Sequence, residues 1–230
     1  MNVAIIAAAG TGSRMAGDRP KQFLQLAGVP IIFHTLKPFE QCDSIQEIIV
    51  VLPAAESADF LALVPKYGVT KLSRVVPGGK TRAESVWRGL LAIRGATAEV
   101  VAVHDGVRPF VATEEINRTV AAAHSHGAAI LVASAIDTIK QVDGGKVVKT
   151  LERGQLCHAL TPQCFRYELL RRAYERADVH DPAITDDSSL VEQLGEPVTI
   201  VEGSSRNIKI TTQRDLLIAE AFLKAGQIEF

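Results

Sequence analysis

The residues best suited to chemistry begin at Ala8-Ala9-Gly10-Thr11-Gly12-Ser13-Arg14-Met15, with Lys21 shortly after. Glycines let the backbone turn tightly and aim several N–H groups at one anion. A dinucleotide-binding fingerprint would need its third glycine at position 15, where Met15 stands. The run Gly79-Lys80-Thr81 resembles the end of a P-loop, but the opening glycine of that motif would fall on Arg74. What remains is a glycine-rich loop carrying two cations, Arg14 and Lys21. That combination suits an anion of several charges, such as a triphosphate. The competing reading is a surface loop whose charges are solvated.

Asp105 ends an apolar run, in His104-Asp105-Gly106-Val107-Arg108-Pro109. A carboxylate at a strand end can hold Mg²⁺ directly or through water, since this ion takes one or two carboxylates plus phosphate oxygens. The alternative is an Asp105–Arg108 pair that ends the strand. Gly78-Gly79 allows close approach of a base or sugar, and Ser85 places a hydroxyl nearby. Lys209 alternates with Ile208 and Ile210, and by itself reads as a solvated lysine on a strand. His124 and His126 are two apart, the wrong spacing for one helical face. No G-x-S-x-G elbow supports serine hydrolase chemistry.

These residues must be positioned by the elements between them. Val3 to Ala9 is a continuous apolar run, as expected of a strand buried on both faces of a parallel sheet. Similar runs span 47–52, 72–76, 99–104 and 128–135. Helical patterns lie between them: from Pro30 to about Lys37, from Thr81 to Ile93, and from an N-cap at Thr113 to about His126. The alternation predicts an α/β fold with a mostly parallel sheet and helices on both faces. In open sheets of this class ligands sit beyond the carboxyl ends of the strands, where the Ala8 loop lies.

After Ala135 the rhythm breaks. Strand-like runs at 138–141 and 146–151 flank Asp143-Gly144-Gly145, a hairpin signal. Helices are expected at about 166–176 and 186–194, strands at 198–201 and 207–211, and a last helix from Gln213 to about Lys224. With no repeat or linker, residues 1–230 read as a single domain with an inserted arm at about 137–158.

Lys plus Arg number 25 and Asp plus Glu 26, so there is no bulk positive charge for nucleic acid. Three cysteines, Cys42, Cys157 and Cys164, form neither a disulfide framework nor a zinc pattern. The first residues run directly into an apolar strand without a basic leader, and no apolar run approaches the ~20 residues of a membrane span. A cytoplasmic location is expected, with no membrane partner.

The ordered set of motifs resembles the 2-C-methyl-D-erythritol 4-phosphate cytidylyltransferases. It comprises the segment from Ala8 to Met15, Pro20-Lys21-Gln22-Phe23, Gly78-Gly79 with Arg82 and Ser85, and His104 to Pro109. Asp137-Thr138, His158 to Gln163, Thr185-Asp186 and Asn207-Ile208-Lys209 follow. The resemblance implies a Rossmann-like sheet, Mg²⁺ dependence and a homodimer whose inserted arms cross to the partner. It implies that Arg14, Lys21 and Lys209 are the catalytic cations. Ala8, Ala9, Gly10, Gly12, Gly79 and Ser85 would bind the nucleotide, CTP. Asp105, Arg108, Thr138 and Thr161 would lie near a small sugar-alcohol phosphate, with Asp105 also at the metal, and Arg153 would reach the partner's site. Lys80 replaces an expected acidic residue near the ribose, and Gly106 replaces an alanine, which predicts a looser turn before Arg108. A ribitol 5-phosphate cytidylyltransferase, a non-catalytic nucleotide-binding protein and a nicotinamide dehydrogenase are the rival readings. Met15 argues against the last of these.

Overall fold

A computed structural model of the chain describes residues 1–10, 20–94 and 98–226. Its centre is a seven-stranded sheet in the order β11-β7-β10-β6-β1-β4-β5. The strands are β1 (Asn2–Ala7), β4 (Glu47–Leu52), β5 (Leu72–Pro77), β6 (Val100–Asp105), β7 (Ala128–Ser134), β10 (Cys157–Arg166) and β11 (Thr199–Glu202). Strands β2 (Gln25–Leu26) and β3 (Val29–Pro30) form a separate short pair. Within the seven-stranded sheet all pairings are parallel except those of β10 with β6 and with β7.

The apolar runs form strands because both of their faces are covered. Along β1, Ala4 and Ile6 enter one core cluster with α1 (Ile31–Gln41), α2 (Ser57–Leu63) and α4 (Thr113–His126). Val3 and Ile5 enter the opposite cluster with α3 (Arg82–Leu91), α5 (Tyr167–Arg176) and α6 (Ser188–Glu192). This period-two division requires helices on both faces, as the composition of the runs predicts. A third, smaller cluster joins α7 (Gln213–Lys224) to Val107, Phe110 and Ile210.

Several expected boundaries and elements differ. α1 runs through Pro38 to Gln41, because Phe39 is fully buried and the packing outweighs one missing amide. At α4 Thr113 is the first helical residue rather than the cap, and the Glu115 carboxylate accepts the Ala112 N–H at 2.8 Å. The helix expected at 186–194 shortens to α6, with Asp186 accepting the Ser189 N–H at 3.2 Å. The strand expected at 207–211 does not form. Ile210 N–H donates to Val107 O at 2.9 Å, but no ladder continues. Ile208 and Ile210 still pack together in the small cluster, which leaves Lys209 on the other side.

Besides the short β2–β3 pair and the 3₁₀ turns, α2 and β10 escaped the periodicity. α2 is short and mostly exposed, with only Phe60 buried. β10 holds Thr161-Pro162-Gln163 within it, the Thr161–Pro162 peptide is cis, and its pairing with β7 shifts register between Ala159 and Gln163. Polar residues and a proline hide such a strand from pattern reading. The expected hairpin is present as β8 (Lys140–Asp143) and β9 (Lys146–Thr150), exposed throughout, with Val142, Val147 and Val148 open to solvent.

Candidate active site

From β1 the chain goes to β4 and β5 on one side, then returns to β6 on the other. The crevice beyond the carboxyl ends of β1 and β6 is therefore the switch point where α/β sheets bind ligands. A cavity of ≈ 370 Å³ opens there. Its lining joins the end of β1 (Ala8, Ala9, Gly10), Lys21, the β5–α3 turn (Gly79, Lys80), α3 (Arg82, Ser85), Asp105 and Lys209. Eight expected site residues, from five separate stretches of sequence, thus meet in one place: Ala8, Ala9, Gly10, Lys21, Gly79, Ser85, Asp105 and Lys209. Gly12 and Arg14 lie outside the described residues.

Local packing sets the rim. A Cβ at Gly78 would come within 2.1 Å of Ala9 Cβ, so glycine is what lets the β5 turn touch the β1 loop. Ser85 Oγ accepts the Gly79 N–H at 3.0 Å and donates to Thr81 O at 2.8 Å, fixing that turn on the first turn of α3. Lys80 N–H donates to Glu84 Oε2 at 2.6 Å, so an acid stands one helical turn from the position where an acidic residue was expected. Lys21 opens a single 3₁₀ turn, Lys21–Phe23, whose Phe23 is buried and whose Gln22 side-chain amide donates to Ala8 O at 2.5 Å. The cation and the β1 loop are thereby locked to each other.

The expected looser turn at Gly106 is overturned. Gly106 N–H donates to Ala7 O at 2.9 Å, Arg108 N–H donates to Asp105 O at 3.1 Å, and a Cβ at 106 would lie 2.5 Å from Ala8 Cβ. Without a side chain the turn packs closely on the loop after β1.

Charge concentrates on Asp105. Its Oδ1 is 3.1 Å from Arg82 Nε, and its Oδ2 is 3.1 Å from Arg108 Nε and 3.0 Å from Lys209 Nζ. Burial alone would push this carboxyl's pKa up. Arg82, Lys209 and Arg108 reverse the sign and hold it well below the usual carboxylate range. Both oxygens already face cations, so the magnesium expected at Asp105, directly or through water, does not fit this carboxylate. The sequence pointed to Arg108 as a partner of Asp105, but Arg82 and Lys209 join it only through the fold.

Thr161 is buried behind the cavity. Its hydroxyl accepts the Asp105 N–H at 3.2 Å and lies 2.9 Å from His104 Nδ1. His104 Nε2 is 3.0 Å from Arg108 O. Burial, the dominant influence, brings the His104 pKa down to about 4, so the ring is neutral at pH 7. A neutral ring carrying its proton on Nε2 satisfies the whole set: Nε2–H to Arg108 O, Thr161 O–H to Nδ1, Asp105 N–H to Thr161 Oγ1. Asn207 extends the frame, donating from Nδ2 to Thr161 O at 2.7 Å and accepting Arg108 Nη1 on its carbonyl at 2.8 Å. The loop bearing Lys209 is thus tied to both β10 and β6. Thr138 and Arg153 are elsewhere. Both are exposed at the arm, and Arg153 Nη1 donates to Ile136 O at 2.6 Å.

The model of one family matches residues 2–225: the 2-C-methyl-D-erythritol 4-phosphate cytidylyltransferases. A relative of that name from Geotalea uraniireducens is 46% identical, covering 98% of each chain. Another from Pelotomaculum thermopropionicum is 45% identical, covering 97% of this chain and 94% of its own. The crystal structure of 4-diphosphocytidyl-2C-methyl-D-erythritol synthase from Anaerococcus prevotii superposes with a TM-score of 0.86 at 34% identity, over 97% of this chain and 96% of that one. The chain belongs to the 2-C-methyl-D-erythritol 4-phosphate cytidylyltransferase family.

Proposed function

We propose that this protein joins CTP and 2-C-methyl-D-erythritol 4-phosphate, giving 4-diphosphocytidyl-2-C-methyl-D-erythritol and pyrophosphate in the non-mevalonate route to isoprenoids. The observation that carries this reading is the convergence of Lys21 and Lys209 with the Ala8–Gly10 and Gly79–Ser85 segments on one crevice. A phosphate oxygen of the acceptor attacks the α-phosphorus of CTP as pyrophosphate leaves. A phosphate monoester has a second pKa near ~6 and is mostly a dianion at pH 7, so no general base is needed. That agrees with a neutral, inward-facing His104, which serves the frame and not the reaction. The obstacle is repulsion between polyanions, and the chain answers with fixed cations.

Lys21 and Lys209 are assigned to the triphosphate and its transition state, with Arg14 as the third cation. Ala8, Ala9, Gly10, Gly12, Gly79 and Ser85 are assigned to the nucleotide. Arg108 and Asp105 are assigned to the acceptor side, with Thr161 holding Asp105 in place. A divalent cation, magnesium in this reading, adds further charge neutralisation and would be held by the phosphate oxygens and water, since Asp105 is occupied by cations. No helix among the described residues is long and apolar enough to cross a membrane. The reading is of a cytoplasmic enzyme.

Pyrophosphate release with CTP and Mg²⁺ tests the assignment, comparing methylerythritol phosphate, ribitol 5-phosphate and no acceptor. Turnover is expected with the first. Preference for ribitol phosphate would move the protein to the rival acceptor, and CTP binding without turnover on any acceptor would make it a nucleotide-binding protein only.

Residues 1–230 are read as one nucleotidyltransferase domain carrying an arm at about 137–158 that pairs two chains. The support is the exposed β8–β9 hairpin, whose Val142, Val147 and Val148 lack partners within the chain's core clusters. Thr138 and Arg153 then act at the partner's crevice. If so, mixing inactive Arg153→Ala with inactive Lys21→Ala should restore activity, on the order of a quarter of wild type for random exchange in a two-fold dimer. No recovery after verified exchange would mean that each chain's site is complete without the partner's arm.

A further inference from the structure

We propose that Asp187 is a positioning residue for the transfer reaction, acting through Arg82 on Asp105; this rests on the cytidylyltransferase reading above. Asp187 is fully buried and does not line the cavity. Its Oδ2 accepts Arg82 Nη2 at 2.8 Å, and its Oδ1 accepts the Tyr174 hydroxyl at 2.5 Å. Its backbone N–H is held by Gln163 Oε1 at 2.9 Å. Arg82 Nε turns the other way and donates to Asp105 Oδ1 at 3.1 Å. One guanidinium therefore spans a carboxylate in the core and a carboxylate at the crevice.

The direction of control follows from which end is fixed. An arginine side chain has many rotamers to lose, and a single contact at the edge of an open cavity would not hold it in one geometry. The buried end supplies the constraint. Asp187 is bound to β10 through Gln163 and to α5 through Tyr174, whose ring stacks on Trp87 of α3 with centroids 5.7 Å apart. Arg82 then fixes one oxygen of Asp105, and the other oxygen receives Arg108 and Lys209. If Arg82 lost its buried partner, Oδ1 would be released, the carboxylate could rotate, and the two cations facing the phosphates would move with it. Charge also alternates along the chain Asp187, Arg82, Asp105, Lys209, so neutralising the first member unbalances the rest.

The test compares full-length wild type, Asp187→Asn and Tyr174→Phe in the pyrophosphate assay. Asp187→Asn should lower kcat/KM for the acceptor by roughly 10–100-fold, the scale of lost outer-shell positioning groups. The loss should divide between a lower kcat and a higher acceptor KM, while the KM for CTP stays near wild type. Tyr174→Phe, which keeps the Arg82 contact, should shift the same constants less. A merely structural role would reduce the folded fraction, lowering kcat alone and leaving both KM values in place. That pattern would overturn the proposal, and so would wild-type constants in a folded Asp187→Asn. A second readout needs no turnover: the Arg82 Nε–H signal in ¹⁵N-labelled protein should exchange slowly in wild type and faster in Asp187→Asn. Unchanged exchange in Asp187→Asn would overturn the proposal, whereas an inactive wild type would overturn only the function assigned above.

Discussion

Lys21→Ala is expected to lower kcat by roughly 10²–10³, the scale of a lost electrostatic donor in a preorganised site, with a much smaller rise in the KM for CTP. The asymmetry follows from where Lys21 stands. It lines the crevice at the start of a 3₁₀ turn that Phe23 anchors in the core and that Gln22 ties to Ala8 O. The ammonium is delivered to the cavity by a turn whose next two residues are buried. The base and ribose are assigned to Ala8, Ala9, Gly79 and Ser85, whose segments are held by the Gln22 amide on Ala8 O and by the Ser85 hydroxyl on Gly79 N–H and Thr81 O. Ground-state binding of CTP should therefore survive the substitution. What is lost is compensation of the charge that builds on the α-phosphate and the departing pyrophosphate, and such a loss falls on kcat. Lys21→Arg should recover only part of the rate, because a planar guanidinium presents its charge differently from a compact ammonium. Steady-state kinetics in both substrates decide the matter. A near-normal kcat with a large rise in the CTP KM would assign Lys21 to binding alone.

The alternation of apolar runs and helical patterns placed β1, β4, β5, β6 and β7 within two residues at either end, because strands covered on both faces need continuous apolar sequence. The same physics hid β10. Its Thr161 and Gln163 are buried but polar, serving His104, Asp105, Asp186 and Asp187 by hydrogen bonds, and no periodicity registers that. The crevice was legible from the glycines and from the ordered motifs, since Gly10, Gly79 and Asp105 sit at strand ends. The ion network was not. Arg82 and Asp187 are 105 residues apart, and although Thr185-Asp186 stands among the ordered motifs, nothing in the sequence pairs Asp187 with Arg82. Charge pairs of that kind are decided by topology, and a single sequence does not carry them. Lys209 shows the intermediate case. Its flanking isoleucines set the direction it faces, although the strand expected to display it does not form.

Asp105→Asn should cost about 3 kcal/mol of stability at pH 7, the lower end of the range for removing one partner of a buried charge pair. The lower end applies because the three cations are not stranded equally. Arg82 keeps Asp187, Arg108 keeps the Asn207 carbonyl, and Lys209, whose side chain is 37% exposed, can turn toward water. The pH dependence has a defined sign. The folded-state pKa of Asp105 is depressed, so its contribution is fully present above the unfolded carboxyl pKa near ~3.9 and is lost as pH falls below that. Denaturant midpoints for wild type and Asp105→Asn should therefore differ most at neutral pH and approach each other below about pH 4. A difference that does not change with pH would mean that the charge is not what matters at this position. Activity should fall further than stability accounts for. Folded Asp105→Asn retains Lys21 and the nucleotide segments but loses the group that holds Arg108 and Lys209 at a common point. CTP binding should thus persist while turnover drops, and isothermal titration with CTP alongside the kinetic assay would separate the two. Loss of CTP affinity equal to the loss of turnover would place Asp105 on the nucleotide instead of on the acceptor side.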